Sequence, residues 1–391
     1  MNYTNTSKAV IPMEEYSVRW ARSREIMKSS NLDLLVAYAD DHAVAGPAYA
    51  RYYANFAVHF EPCIILLPID SEPVLLVGPE SPNYARLHTP IKDIRVLKEL
   101  THPDEDYPFT KIESFSEILR SLKLGNLGRI GVCGRSLMNP GLYSALTTAL
   151  PAEWIDADTP ISTLRAVKSP AETAVMRYAY QIAETGLCAA IDAVRPGITE
   201  REVAAEAEYV MRKMGAEGTG IDTFVASGPN SGPIIARTTF REIGKDDLVL
   251  LTIAPRYEGY HAAVGIPVLL GQVSDEIRRA IHAAEEAQKL CASALRHGMD
   301  AGAEQMGRDH MAKANLDKNF LYSGIHSIGV IEFEPPIFGP SCKSLMQKNM
   351  ILSIDIPVFD APWGGFRIEN GYLITESGAE SLTNIPFVAE K

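Results

Sequence analysis

Two carboxylates and an arginine stand close together in the stretch MILSIDIPVFDAPWGGFRIENGYLIT, from Met350 to Thr375. The stretch reads as two strands, 351–359 and 367–375, joined by a turn containing Pro362, Gly364 and Gly365. Side chains alternate across a strand, so Ser353, Asp355 and Pro357 share one face while Leu352, Ile354 and Ile356 share the other. Arg367, Glu369 and Gly371 likewise share a face, and pairing across the turn brings Asp355 and Glu369 together. Spacing alone also fits two solvated carboxylates on an outer face. The apolar residues of the same strands argue for burial, where a carboxylate needs a cation, a donor or a chemical role. Arg367 is placed either to pair with a carboxylate of a substrate or to neutralise this acidic cluster.

Other side chains suited to chemistry lie upstream. His326 sits in GIHSIG, among glycines and small residues that let a ligand approach the backbone. A lone histidine is as readily structural. Beside a carboxylate, its pKa would rise and its tautomer be fixed, which suits a general base near neutral pH. His261, Tyr260 and Thr252 add an imidazole and two hydroxyls on neighbouring extended segments, and Glu334 stands between Phe333 and Pro335-Pro336.

The elements that must position these groups follow from the rest of the chain. A length of 391 residues with 46% hydrophobic and 22% charged content suggests two domains with substantial cores. The net charge of −12 disfavours nucleic acid or an anionic membrane as main partner. Five widely spaced cysteines without a CxxC pair fit reduced thiols of a cytoplasmic protein. The N-terminus MNYTNTSKAVIPMEEY has no apolar core of signal-peptide type, and no run approaches the length of a membrane span. A helix over 14–30 and short apolar runs at 33–38, 63–67, 73–77 and 129–133, with a helix over 111–122, indicate an α/β domain. No glycine-rich phosphate loop follows any of these strands, so no nucleotide is assigned. Ser169-Pro170-Ala171-Glu172 starts a helix that stops at Arg195-Pro196-Gly197, and Thr199–Glu202 caps a second, 203–214. Extended runs at 248–254 and 259–270, a long helix over 276–296, a segment over 305–316 and terminal strands make the second domain α+β, with helices on one face of an antiparallel sheet.

LRAVKSPAETAVMRYA, AVRPGITEREVAAE, FVASGPNSG, EGYHAAVG, GIHSIG, EFEPP, MILSID and GGFRIENGYLIT, in this order, resemble the pita-bread hydrolase family of creatinase, X-prolyl dipeptidases, aminopeptidase P and methionine aminopeptidases. The resemblance is close over 160–388 and weaker over the N-terminal part, which looks like a creatinase-type amino domain. It implies an α/β creatinase-type N-terminal domain, 1–160, and an α+β pita-bread catalytic domain, 161–391. It also implies a small-molecule substrate and a homodimer in which the amino domain faces a partner's pocket.

The peptidases of this family hold two metal ions through two aspartates, a histidine and two glutamates. Matched motif by motif, the aspartates fall at Thr252 and Ala263, the histidine at His326, and the glutamates at Asp355 and Glu369. The substrate-binding histidine falls at Ile234, and a second histidine at Phe333, beside the surviving Glu334. A bridging aspartate supplies charge and geometry to dications only about 3.5–4 Å apart; threonine offers a neutral hydroxyl and alanine nothing. Creatinase also lacks both aspartates, but its acid/base histidine corresponds to Ile234 and a substrate-holding glutamate to Gly265, so creatine is not the expected substrate.

The leading expectation is therefore a metal-independent, creatinase-like hydrolase of a C–N bond, without metal or cofactor. His326 or His261 would be the base, with Asp355, Glu369 or Glu334 orienting it, and Arg367, Tyr260 and Thr252 would contact substrate. One alternative is a single-metal X-prolyl-peptidase-like hydrolase or lyase built on His326, Asp355 and Glu369. Another is a non-catalytic binding module of the same fold.

Overall fold

The computed structural model describes residues 8–42, 44–124 and 126–391. The first seven residues of the segment MNYTNTSKAVIPMEEY lie outside them. The described chain separates into two units, Ile11–Arg165 and Ala166–Lys391, the latter joined by the described residues before Ile11.

In the first unit a helix over Met13–Ser29 precedes a seven-stranded mixed sheet. Leu34–Ala39 lies inside the sheet, flanked by antiparallel Cys63–Pro68 and parallel Arg129–Cys133. Leu34–Ala39 and Cys63–Pro68 are buried along their whole length, which is why they read as unbroken apolar runs rather than alternating ones. The helix expected over 111–122 is shorter, Phe115–Ser121, and is preceded by the strand Ile112–Glu113. A capping box between Ser114 and Glu117 fixes its start and leaves the preceding residues free to pair.

The second unit begins with two helices set by the same local device. Ser169 with Glu172 starts Pro170–Ala193, and Thr199 with Glu202 starts Glu200–Met214, which Gly215 ends in a left-handed conformation. The main sheet runs, in spatial order, Glu334–Ile337, Ile325–Ser327, Ile351–Ala361, Gly364–Ile374, Val264–Leu269, Leu248–Ile253 and Phe224–Ser227. Neighbours along this path are antiparallel. Leu352, Ile354, Ile356, Phe366 and Ile368 join a core with Ala284, Ala287 and Cys291 of the helix Asp275–Ala294. The Gln288 amide of that helix donates to the Ile354 and Ile368 carbonyls. That fills one face of the central hairpin and leaves the other for polar side chains. The α/β and α+β pita-bread architecture expected from the sequence is the one observed.

Two local differences bear on the site. The hairpin strands extend further toward each other, to Ala361 and from Gly364, leaving Pro362 and Trp363 as the turn with a bulge after Val358. Gly364 has φ +118°, and the backbone N–H of Gly365 donates to Ser231 Oγ at 3.0 Å, so this corner depends on glycine. The run expected over 259–270 is broken. Tyr260–His261 pairs with Pro255–Tyr257 in a small three-stranded sheet, and only Val264–Leu269 enters the main sheet.

Candidate active site

Register places the acidic residues. Thr252 opposes Gly265, Gly265 opposes Glu369, and Glu369 opposes Asp355, so one row crosses four strands with its side chains on one face. His326 opposes Ser353 on the next strand. Gly265 leaves the room its neighbours need: a Cβ there would lie 2.9 Å from Arg367 Cγ and 3.4 Å from Glu369 Cβ.

His326, Glu332 and Glu369 converge. Each offers one ligand atom, and these atoms lie within 4.8 Å of one another. His326 and Glu369 are 1% exposed and Glu332 8%. Glu369 Oε1 accepts from Ser353 Oγ at 2.8 Å, while its Oε2 is buried without a hydrogen-bond partner. His326 Nδ1 lies 3.0 Å from the Ser327 carbonyl. A proton on Nδ1 satisfies that contact and leaves the Nε2 lone pair for a ligand. The Phe333 ring lies over the imidazole, 4.3 Å between centroids.

Asp355 sits at the edge of this group. Its Oδ2 accepts from the Tyr322 hydroxyl at 2.7 Å and lies 3.5 Å from Arg367 Nη1, and its Oδ1 has no partner. Arg367 is buried, donates to the Ile234 carbonyl at 3.0 Å and packs among the Phe224, Tyr322 and Phe359 rings. Burial opposes its charge, but Tyr322, Asp355, Glu369 and Glu332 hold its pKa above the usual value. Burial raises Glu369, with Asp355 and Glu332 adding to the rise; it raises Asp355 against the pull of Arg367; and it lifts Glu332 to about 7. Three carboxylates against one guanidinium leave two negative charges when all are ionised, a balance that protons or one dication restore.

Several sequence-based assignments change here. Burial, helped by Arg367, lowers His326 to about 4 despite the Ser327 carbonyl, so the expected rise beside a carboxylate does not occur. A backbone carbonyl, not Asp355 or Glu369, orients its ring. His261 is not on the strand of Ala263: its ring packs against Gly220, its Nδ1 lies 3.0 Å from the Gly329 carbonyl, and burial lowers it to about 3. Tyr260 donates to Glu172 Oε1 at 2.7 Å rather than to a ligand. Glu334 Oε1 is 3.3 Å from Lys168 Nζ in a buried ion pair, so this carboxylate serves as a counter-ion. Thr252 does share the face of Glu369, with its hydroxyl buried and unpartnered. Arg367, 3.5 Å from Asp355, has the geometry that the neutralising reading requires.

Glu332, Tyr322, Ser353 and Tyr180 also border the site and were not among the candidates drawn from the sequence. Tyr180 is fully buried on Pro170–Ala193, and burial followed by Glu369 keeps its phenol well above the usual pKa. The signal for Glu332 was present in EFEPP, which holds two acids and not one.

A Metallopeptidase family M24 model matches residues 174–376, and a Creatinase/Prolidase N-terminal domain model matches 19–167. The chain belongs to the M24 family. It is 27% identical over 358 residues to the Xaa-Pro dipeptidase of Pyrococcus furiosus, covering 90% of this chain and 97% of that one. An uncharacterized peptidase of Bacillus subtilis is 27% identical over 277 residues, 70% of this chain and 77% of its own. In fold, the chain superposes on the Xaa-Pro dipeptidase from Bacillus anthracis with a TM-score of 0.82, covering 96% and 100% of the two chains at 23% identity.

The expectation of a hydrolase acting on C–N bonds stands with this membership. The expectation of metal independence does not: the family is one of metallopeptidases, and its Xaa-Pro dipeptidase relatives match along nearly the whole chain. The donor set decides which metal centre fits. Thr252 and Ala263, where the family resemblance places aspartates, give no anionic ligand, so a paired centre does not fit. One ion does. A nitrogen and two carboxylate oxygens suit zinc, manganese or iron. His326, Glu332 and Glu369, whose ligand atoms lie within 4.8 Å of one another, are the residues that would hold it.

Proposed function

We propose that this chain is a single-metal hydrolase of small Xaa-Pro-like peptides, with His326, Glu332 and Glu369 holding the ion. The observation that carries this reading is the convergence of those three buried donors beside Arg367 in an M24 chain. It keeps the single-metal alternative drawn from the sequence but exchanges Asp355 for Glu332 as ligand. An ion bound there supplies Lewis-acid activation of the carbonyl and of water.

The protein's own groups do the rest. Arg367 balances part of the acidic charge and fixes Asp355 through Oδ2, with Tyr322 as second anchor. Asp355 Oδ1, left without a partner, is placed to take a proton from the attacking water and pass it to the leaving nitrogen. Hydroxide adds to the carbonyl carbon, the C–N bond breaks, and the amine leaves with that proton. Ile234 and Phe333 stand where the family carries histidines and give the binding region apolar walls, which suit an apolar N-terminal side chain of the dipeptide.

A homodimer in a reducing, cytoplasmic setting completes the proposal. The five cysteines are free, and no helix among the described residues is long and apolar enough to cross a membrane. Light scattering tests the dimer. The functional test is chelation and reloading: protein stripped of metal should lose Xaa-Pro dipeptide hydrolysis and regain it at one zinc, manganese or iron per chain. Hydrolysis that survives complete stripping would sink the reading.

A further inference from the structure

The tyrosine on Pro170–Ala193 is inserted into the site by a matching gap in the sheet. A Cβ at Gly371 would lie 2.1 Å from Tyr180 Cζ and 2.2 Å from its hydroxyl oxygen. Gly371 opposes Ser353 and lies two residues beyond Glu369, on the same face. The phenol end therefore meets the sheet beside the Ser353–Glu369 hydrogen bond. Gly371 has no left-handed φ that would demand glycine; the close approach of the ring is what excludes a side chain.

The hydroxyl that arrives there has no well-formed hydrogen bond. The Ala263 backbone N–H faces its oxygen as a donor and the charges of Glu369 and Glu332 act on it, but nothing accepts its proton. A buried hydroxyl without an acceptor costs folding free energy, and phenylalanine would fill the same space without that cost. Such a donor, beside two of the three converging ligands, is matched to an acceptor that arrives with a substrate.

We propose that Tyr180 is a substrate-facing residue whose hydroxyl donates to the oxygen of the carbonyl being attacked. This rests on the hydrolase reading above. The donor gains strength as negative charge builds on that oxygen, in a site from which water is largely excluded. No proton need leave the tyrosine, which spares the site a further buried negative charge.

The test uses the full chain loaded with manganese and the variant Tyr180→Phe, which keeps the ring and removes one oxygen. Turnover of an Xaa-Pro dipeptide is read alongside calorimetric binding of a phosphinic dipeptide analogue, whose tetrahedral phosphinate mimics the attacked carbonyl. Metal content and melting temperature are measured on both proteins. We expect kcat to fall about 100-fold with KM little changed. Analogue affinity should fall with kcat, while metal content and melting temperature hold. A variant equal to wild type in turnover and analogue binding overturns the Tyr180 assignment and leaves the hydrolase reading standing. A wild-type protein that neither cleaves the dipeptide nor binds the analogue sinks both.

Discussion

Asp355 and Glu369 oppose each other on one rung of the central hairpin, yet only Glu369 joins the donor group with His326 and Glu332. Each keeps one oxygen unpartnered, but the other oxygen of Asp355 is held by Tyr322 and Arg367, whereas that of Glu369 is held by the Ser353 hydroxyl. The two carboxylates should therefore respond differently to neutralisation. Glu369→Gln and Glu332→Gln should each weaken zinc or manganese binding by more than the roughly 10–100-fold typical of outer-shell changes. Asp355→Asn should stay within that range while lowering turnover. Metal titration by calorimetry separates the three; equal losses in all of them would return Asp355 to the ligand set.

Arg367 is the one cation facing Asp355, Glu369 and Glu332 among the described residues. Replacing it by methionine keeps much of the stem that lies over Gly265 but leaves the carboxylates uncompensated. Removing one partner of a buried charge group costs about 3–5 kcal/mol. Urea unfolding of metal-free Arg367→Met at pH 7.5 should show a loss of that order, and added metal should recover part of it. An unchanged midpoint would mean that protons already neutralise the site.

Much of this arrangement was legible in the residues. Alternation along Ile351–Ala361 and Gly364–Ile374 put Asp355, Arg367 and Glu369 on one face, and the caps at Ser169 and Thr199 placed two helices correctly. The misplaced groups were those positioned by loops or by distant packing. Glu332 lies in the connection between Ile325–Ser327 and Glu334–Ile337, where no strand period applies. Tyr180 and Gly371 are far apart in sequence, and only their contact gives either a meaning. His261 was assigned to the wrong strand because an apolar run hides the break at Ala262-Ala263, where the chain passes between sheets.

His261 gives the site's surroundings a pH signature. Burial lowers its pKa from the usual 6.5 to about 3. The unfolded chain therefore binds a proton below about pH 6.5 that the folded protein refuses, and stability falls as pH drops. The contribution is constant above that range and is lost progressively down to the folded value. His261→Gln should remove it, making the acid limb of the stability curve shallower by about 1.4 kcal/mol per pH unit. Denaturant titrations at pH 7 and pH 5 measure the difference. Identical slopes in wild type and variant would place the ring in water, against the observed burial.

Lys168 and Glu334 separate structural from catalytic use of an acid that the motif pattern presents as a site residue. Both are 1% exposed by side chain, at 3.3 Å, and Lys168 also reaches Ser327 Oγ at 3.4 Å. The lysine precedes the Ser169 cap, and the glutamate opens the edge strand that pairs with Ser327. The pair thus ties the start of Pro170–Ala193 to the end of the sheet that carries His326. Desolvating two charges makes such a pair a weak net stabiliser, but breaking it from one side takes a buried opposite charge away from the other. Lys168→Met alone should cost about 3–5 kcal/mol, and Glu334→Leu alone a similar amount. The double variant should recover much of that loss, because both charges of the pair are then removed together. A double-mutant cycle in urea measures the coupling. If the two single costs simply add in the double variant, Glu334 is held by something other than Lys168, and its assignment as a counter-ion fails.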